Sequence, residues 1–177
     1  LDALLTASVL APRTHRIGLI PTVTTTHTEP FHVATALQTL DFVSHGRAGW
    51  QLRISADAAS EANFGRQRLP RIELANVIAG RPDAGFDELL DDAAESAHVA
   101  RLLWDSWEDD AVIRDVSTGR FLDRSRIHRI DFEGTRFSVV GPSIVPRSPQ
   151  GQIPVTLLSH SPRVHALAAA VADVVFV

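Results

Sequence analysis

The fold is decided by the stretch Ile17-Gly18-Leu19-Ile20-Pro21-Thr22-Val23, because it opens an alternation of strands and helices that continues along the chain. The stretch is apolar enough to predict a short buried strand. Pro30 then begins a segment whose apolar residues have helical spacing, Gly46 ends that segment, and alternating apolar residues over 48–54 predict a second strand. A strand, a helix and a strand at such short spacing are typical of parallel α/β folds.

The rest of the chain continues this pattern with one interruption. We predict helices over 2–12 and 72–78, from Phe86 to Trp107, and from the Ser161-Pro162 pair to about 172. Strands are predicted over 153–158 and from Val174, and a small hairpin over 126–140 lies outside this order. In the long helix, the acidic residues are expected on the solvated face: Asp87, Glu88, Asp91, Asp92 and Glu95.

Four strand–helix units make half of a (β/α)8 barrel, a fold that normally needs about 250 residues. A doubly wound sheet fits the same order of elements, although no Gly-x-Gly-x-x-Gly motif follows a strand as a Rossmann site requires. We expect residues 1–177 to be an interior part of a single barrel domain. Eight apolar residues would then pack against segments outside the chain: Ile17, Leu19, Trp50, Leu52, Val155, Leu157, Val175 and Val177.

The composition excludes several classes of protein. The 177 residues carry a formal net charge of −4, so the chain lacks the basic surface that nucleic-acid binding needs. It contains no Cys, which excludes disulfides and zinc–thiolate sites within it, and we expect no metal site. No apolar run approaches the roughly 20 residues of a membrane span. We therefore expect a cytoplasmic protein that binds neither nucleic acid nor a membrane.

Ligands of parallel α/β folds bind at the carboxyl ends of the strands, and three polar segments of this chain are predicted there. Thr24-Thr25-Thr26-His27 follows the first strand, Ser55 the second, and Ser159-His160-Ser161 the third. Ser161 precedes a helix whose free N–H groups suit a phosphate, although the same serine can act as a plain helix cap. The threonines can likewise simply end a strand, and His27 and His160 are candidates for a pocket.

Several motifs, taken in order, resemble one family. Residues 22–34 read TVTTTHTEPFHVA, residues 44–50 read SHGRAGW, and residues 103–110 read LWDSWEDD. This succession, with Asn63-Phe64-Gly65 between its parts, resembles the luciferase-like flavin monooxygenases, in particular the nitrilotriacetate monooxygenase branch. The resemblance covers nearly the whole chain. It implies a (β/α)8 barrel, of which this chain would hold about the third to the sixth strand.

The resemblance also implies a reaction and a set of partners. Enzymes of this family use reduced FMN and oxygen to oxygenate a small organic substrate, and a separate NAD(P)H-dependent flavin reductase supplies the flavin. On this basis the cofactor-binding residues are expected at the polar segments named above, with Thr25 preferred among the threonines: Thr24, Thr25, His27, Ser55 and Ser161. We also expect a homo-oligomer.

The chain departs from the family at the expected cofactor site. A His-x-x-x-Tyr pair of the family corresponds to Phe86 and Leu90, while Gln51 stands in place of an asparagine and Ile54 in place of a threonine. Two alternatives therefore stay open. The protein could be an oxidoreductase on the same barrel that uses the deazaflavin F420, or a catalytically silent paralogue that binds a ligand or pairs with an active subunit. The sequence assigns neither the substrate nor the catalytic residues.

Overall fold

The computed structural model describes residues 2–64 and 70–177. Six helices and eight strands follow one another in the described residues, together with two 3₁₀ turns (Ala11–Arg13 and Arg124–Arg126). In chain order these are α1 (Ala3–Leu10), β1 (Thr22–Thr24), α2 (Pro30–Ser44), β2 (Trp50–Arg53), α3 (Ala58–Glu61), α4 (Leu74–Ile78), α5 (Ala84–Trp104), β3 (Val112–Asp115), β4 (Arg120–Leu122), β5 (Phe132–Glu133), β6 (Ser138–Val139), β7 (Val155–Leu158), α6 (Pro162–Val171) and β8 (Val174–Phe176).

The centre of the fold is a parallel sheet with the strand order β1-β2-β7-β8. Thr22, Val23 and Thr24 of β1 lie beside Gln51, Leu52 and Arg53 of β2. β2 and β7 pair over two positions only, Trp50 with Val155 and Gln51 with Thr156. Parallel pairing in chain order, with helices between the strands, confirms the predicted α/β fold.

One hydrophobic cluster joins the sheet to α1, α2, α5 and α6. Trp50 of β2 and Trp104 of α5 are its largest members, and both are fully buried. Each indole N–H also has an acceptor, because Trp50 donates to the Val23 carbonyl at 3.0 Å and Trp104 donates to the Ala34 carbonyl at 3.2 Å. These bonds let two large amphipathic rings be buried without leaving a polar atom unpaired.

Several predicted boundaries need correction. The first strand is limited to β1, and Leu19 forms only an isolated bridge with Ala48, since Pro21 has no N–H to donate to a ladder. The long helix ends at Trp104, before Trp107. Asp92 is buried, so its predicted place on the solvated face was wrong.

The expected packing against segments outside the chain was also wrong for most of the residues named. The helices of this chain bury five of them themselves: Leu19, Trp50, Leu52, Val155 and Leu157. Ile17, Val175 and Val177 are exposed, so their packing stays a prediction. The outer layer of the sheet is therefore complete for its central strands within the described residues.

Two hairpins lie between α5 and β7. The predicted one is confirmed as β5–β6, where Phe132 and Phe137 pack with their ring centroids 5.8 Å apart. The β3–β4 hairpin was missed, although its turn residues Ser117-Thr118-Gly119 are typical of a hairpin.

The segment that carries both hairpins is held at its base by hydrogen bonds among three buried residues, Ser106, Ser143 and Gln38. Ser143 donates its N–H to Ser106 Oγ at 3.0 Å and its hydroxyl to Gln38 Oε1 of α2 at 2.7 Å. The Ser143 carbonyl accepts a hydrogen bond from the indole of Trp107 at 2.7 Å. The start and the end of the segment that carries the hairpins are therefore tied to each other and to α2.

None of the helices within residues 2–64 and 70–177 combines the length and the apolar character that crossing a bilayer requires.

The carboxylate of Asp41 in α2 ties the helix to two sheet segments. It is fully buried, and its two oxygens accept hydrogen bonds from the backbone N–H of Gln150 at 3.0 Å and from the Gln150 side-chain amide at 2.6 Å. The Ala48 N–H, just before β2, is a longer donor at 3.4 Å. A buried carboxylate with several donors is satisfied, and its loss leaves those donors unpaired.

We expect Asp41→Ala to lower the free energy of unfolding by about 3 kcal/mol, because it removes two charge-assisted hydrogen bonds and leaves the partly buried Gln150 N–H without its acceptor. Urea unfolding measures this loss. Asp91→Ala, at an exposed position of α5, is the matched control and should change the free energy by no more than about 0.5 kcal/mol. Equal losses in the two variants would contradict the role assigned to Asp41.

Candidate functional site

The loops after β1 and β2 are joined at the carboxyl edge of the sheet. The Thr25 N–H donates to the Arg53 carbonyl at 3.0 Å, which extends the β1–β2 ladder by one bond. The hydroxyl oxygen of Thr26 then accepts the Ser55 N–H at 2.9 Å. Thr24, Thr25 and Ser55 therefore lie at one place, joined through Thr26, which belongs to the predicted threonine segment but was not among the preferred cofactor residues.

His27, which follows the threonines, is buried beside this edge of the sheet. It is 6% exposed, and its ring stacks on Phe64 with centroids 5.2 Å apart. Within the described residues its Nε2 has no hydrogen-bond partner, although the atom is buried. A buried ring nitrogen without a partner costs about 1–3 kcal/mol, so this atom needs a partner from a neighbouring group.

The second part of the edge follows β7. The Ser159 N–H donates to the Phe176 carbonyl at 2.8 Å, which extends the β7–β8 ladder. Ser161 is the N-cap of α6, and its hydroxyl oxygen accepts the Val164 N–H at a long 3.5 Å. The predicted cap is confirmed, and its weak hydrogen bond leaves the hydroxyl available to another partner. His160, the other candidate, is exposed.

Ser161 stays apart from the first part of the edge. Across residues 2–64 and 70–177, no direct hydrogen bond joins it to Thr24, Thr25, His27 or Ser55. The five predicted site residues thus form two groups at one edge of the sheet: four at or just after the ends of β1 and β2, and one after β7.

An acidic side chain fixes the loop beyond Ser55. Asp57 caps α3 by accepting hydrogen bonds from the Ala59 N–H at 3.2 Å and the Ser60 N–H at 3.0 Å. The Ser60 hydroxyl, followed by these backbone donors, holds the pKa of Asp57 below its ordinary value of 3.8. His27 adds a smaller electrostatic contribution in the same direction. The Asp57 carboxylate is therefore a stable anion near His27.

A cleft of about 410 Å³ opens where β2 and β7 stop pairing. Its wall is mostly apolar and includes Phe86 and Leu90 of α5, the two residues that the sequence resemblance aligns with a His and a Tyr. Arg53 is the single charged residue that lines it. Neither Phe86 nor Leu90 can donate or accept a hydrogen bond, so this part of the cleft offers apolar contacts only.

Metal chemistry receives no support from the described ranges 2–64 and 70–177. No group of three His, Asp or Glu side chains there lies close enough to hold a metal ion.

The polar atoms at the edge fit a phosphorylated flavin. Ser161 and the start of a ten-residue helix offer a hydroxyl and N–H groups to an anion. The buried and unpartnered Nε2 of His27 and Oγ of Ser159, neither of which has a hydrogen-bond partner in the described residues, require further polar neighbours. The residues differ from the expected flavin site in the apolar wall of the cleft, where Phe86 and Leu90 contribute packing only.

A family model described as luciferase-like monooxygenase matches residues 1–177. The chain belongs to the luciferase-like monooxygenase family. The resemblance that the motifs predicted is thereby confirmed. Asn63-Phe64-Gly65 contributed to it, but Gly65 lies outside the described residues.

Known relatives agree with this assignment. Nitrilotriacetate monooxygenase component A of Aminobacter aminovorans is 38% identical over 169 residues, which make up 96% of this chain and 34% of the relative. The crystal structure of long-chain alkane monooxygenase (LadA) superposes with a TM-score of 0.86 and 31% identity, and the match covers 99% of this chain and 37% of that one. The likeness confirms the predicted barrel type. The chain spans about a third of the length of the curated relatives it matches.

A third relative contains a flavin. The crystal structure of riboflavin lyase with modified FMN and its substrate riboflavin has a TM-score of 0.75 to this chain. Sequence identity is 30%, and the match covers 95% of this chain and 34% of that one.

We expect Thr26→Val to lower the free energy of unfolding by about 1–2 kcal/mol, because the Ser55 N–H would lose its acceptor in a partly buried loop. Thr26→Ser keeps the acceptor oxygen and should lose less than half as much. Urea unfolding of both variants gives the comparison. If Val and Ser at this position were equally destabilising, the hydroxyl would not be what joins the two loops.

The depressed pKa of Asp57 predicts a pH dependence. A carboxyl group whose pKa is lowered by folding stabilises the protein above its unfolded-state value of 3.8, and this contribution is lost as the pH falls through the folded-state value. Asp57→Asn keeps a good helix cap but removes the charge. The difference in unfolding free energy between wild type and Asp57→Asn should therefore be present at pH 5 and shrink below pH 3.8. A difference that stays constant down to pH 3 would contradict this.

Proposed function

We propose that this protein is a flavin-dependent monooxygenase that uses reduced FMN and oxygen to oxygenate a small organic substrate. The observation that carries the proposal is the family match over residues 1–177, combined with hydroxyl groups at the carboxyl edge of a parallel sheet. This edge is where the ligands of such barrels bind.

Ser161 and the N-terminus of α6 would hold the phosphate of the cofactor. A phosphate gains there from the helix dipole and from charge-assisted hydrogen bonds. Thr24, Thr25, Ser55 and His27 would line the other part of the cofactor site, and the stacked ring of Phe64 beside His27 would exclude water from it. Reduced flavin, when bound, supplies the electrons that activate oxygen, and the protein supplies position and a dry site.

The expected partners belong to this proposal as well. The name of the Aminobacter relative, component A, indicates a system of more than one component. We propose a separate NAD(P)H-dependent flavin reductase as the source of reduced FMN, a homo-oligomeric state, and a cytoplasmic location.

A ligand-binding paralogue without oxygenase activity is the second candidate. Phe86 and Leu90 favour it, because they remove two polar side chains from the cleft.

Titration of the natural full-length protein with FMN, reduced FMN and F420 tests the proposal. We expect reduced FMN to bind more tightly than F420, and oxygen consumption to follow when a flavin reductase and NADH are added. Binding of F420 alone would favour the deazaflavin oxidoreductase. Binding without turnover on any substrate tried would favour the silent paralogue.

Ser161→Ala is expected to weaken FMN binding by about 10- to 150-fold, since one charge-assisted hydrogen bond contributes about 1.5–3 kcal/mol. Fluorescence titration measures the affinity, and Ser161→Thr, which keeps the hydroxyl, is the matched control. A serine that only caps α6 behaves differently: its loss would lower stability by about 1 kcal/mol and leave the FMN affinity unchanged. Measuring unfolding beside affinity separates the two roles.

A further inference from the structure

Arg163 places a positive charge at the end of a helix where positive charges are unfavourable. It is the second residue of α6, after the N-cap Ser161 and Pro162, and no acidic residue lies in the first turn of that helix. The helix dipole is positive at this end and disfavours a cation there. Arg163 therefore needs negative charge from outside its own helix.

One such charge comes from the start of α5. Arg163 forms an ion pair with Asp87, and about a third of each side chain is exposed (35% and 37%). An ion pair between partly exposed side chains contributes little to stability, so a change of partner costs little. Within residues 2–64 and 70–177, Nη1 is the only guanidinium nitrogen of Arg163 that has a partner. A guanidinium has five N–H donors, so most of them are available to a second anion.

Arg163 lies beside the position at which this chain departs from the expected flavin site. Arg163 and Leu90 line the same groove between α5 and α6, and Leu90 also lines the cleft of about 410 Å³. Leu90 is the residue that the sequence resemblance aligns with a tyrosine, and it cannot donate a hydrogen bond. A long side chain from the first turn of α6 can supply the donor that Leu90 does not.

The end of α6 offers few other donors to a phosphate. Pro162 has no N–H, which leaves the Ser161 hydroxyl and the N–H groups of Arg163 and Val164. The Val164 N–H already makes a long hydrogen bond of 3.5 Å to Ser161 Oγ. None of these donors carries a formal charge. A phosphate dianion at this helix end would therefore gain most from the guanidinium of Arg163.

We infer that Arg163 recognises the phosphate of the flavin and so makes the site specific for FMN over riboflavin, which has no phosphate. The inference rests on the proposed function. A guanidinium presents a planar fork of donors that matches two phosphate oxygens. Asp87 holds this fork at the start of α6 and competes with the phosphate for it.

Fluorescence titration of the natural full-length protein with FMN and, separately, with riboflavin tests the inference. We expect Arg163→Gln to weaken FMN binding by about 10- to 30-fold and to change riboflavin binding by less than about 2-fold, because a charge-assisted contact to the phosphate is lost. Arg163→Lys keeps the charge without the fork and should weaken FMN binding by only about 3-fold. Asp87→Asn should strengthen FMN binding by about 2- to 5-fold, since it removes a competing negative charge.

A second ion pair of α5 provides matched controls. Arg136 pairs with Glu88, the residue next to Asp87, but Arg136 belongs to the turn of the β5–β6 hairpin and not to α6. Arg136→Gln and Glu88→Gln should leave the ratio of FMN affinity to riboflavin affinity unchanged. If these variants shifted the ratio as much as Arg163→Gln and Asp87→Asn do, the loss of any charge near α5 would explain the result and the inference would be wrong.

Two further results would overturn the inference. Arg163→Gln could weaken FMN and riboflavin binding equally, or weaken neither. If Arg163→Gln fails to fold, Asp87→Asn decides, because FMN binding that is not strengthened contradicts the competition. Failure of the proposed function is distinguishable. Wild type that binds neither flavin overturns both, whereas FMN binding that falls in Ser161→Ala but not in Arg163→Gln overturns this inference alone.

Discussion

The buried carboxylate of Asp41 is the constraint on which the arrangement of the sheet depends. It sits in the last turn of α2 but is satisfied by donors from elsewhere, chiefly the backbone and side chain of Gln150, 109 residues further along the chain. The Gln150 amide also donates to the Ala48 carbonyl at 2.8 Å. The segments that lead into β2 and β7 are thereby held against the same helix end. Since β2 and β7 are neighbours in space but far apart in sequence, this polar junction fixes which strands become adjacent.

The function of the edge follows from that adjacency. Parallel strands bring their carboxyl ends to one side, so loops that are distant in sequence deliver Thr25, Ser55 and Ser161 to one rim. The β2–β7 ladder, in contrast, is short. Pairing stops after Gln51 and Thr156, and a cleft opens beside that point. Rigid pairing at the base of the sheet and separation at its carboxyl end give a site that is both positioned and accessible.

Much of this arrangement could be predicted from local patterns. The helices α2 and α6 are marked by Pro at their starts, and β2 by strict alternation, so their positions follow from the sequence. Contacts between distant segments and the burial of single polar residues could not be predicted. The hydrogen bond from Ser55 to Thr26, the stacking of His27 on Phe64 and the burial of Asp92 all depend on tertiary packing.

The anchor formed by Ser106, Ser143 and Gln38 bears on how such a protein can diversify. It closes the base of the segment that carries the two hairpins, while the far tip around Val116 is 95% exposed. The tip is connected to the sheet only through this fixed base. Changes of length or sequence at the tip therefore cost little stability. This part of the barrel is therefore a natural place for lineage-specific insertions, and a practical attachment point for a fused peptide or an immobilisation tag.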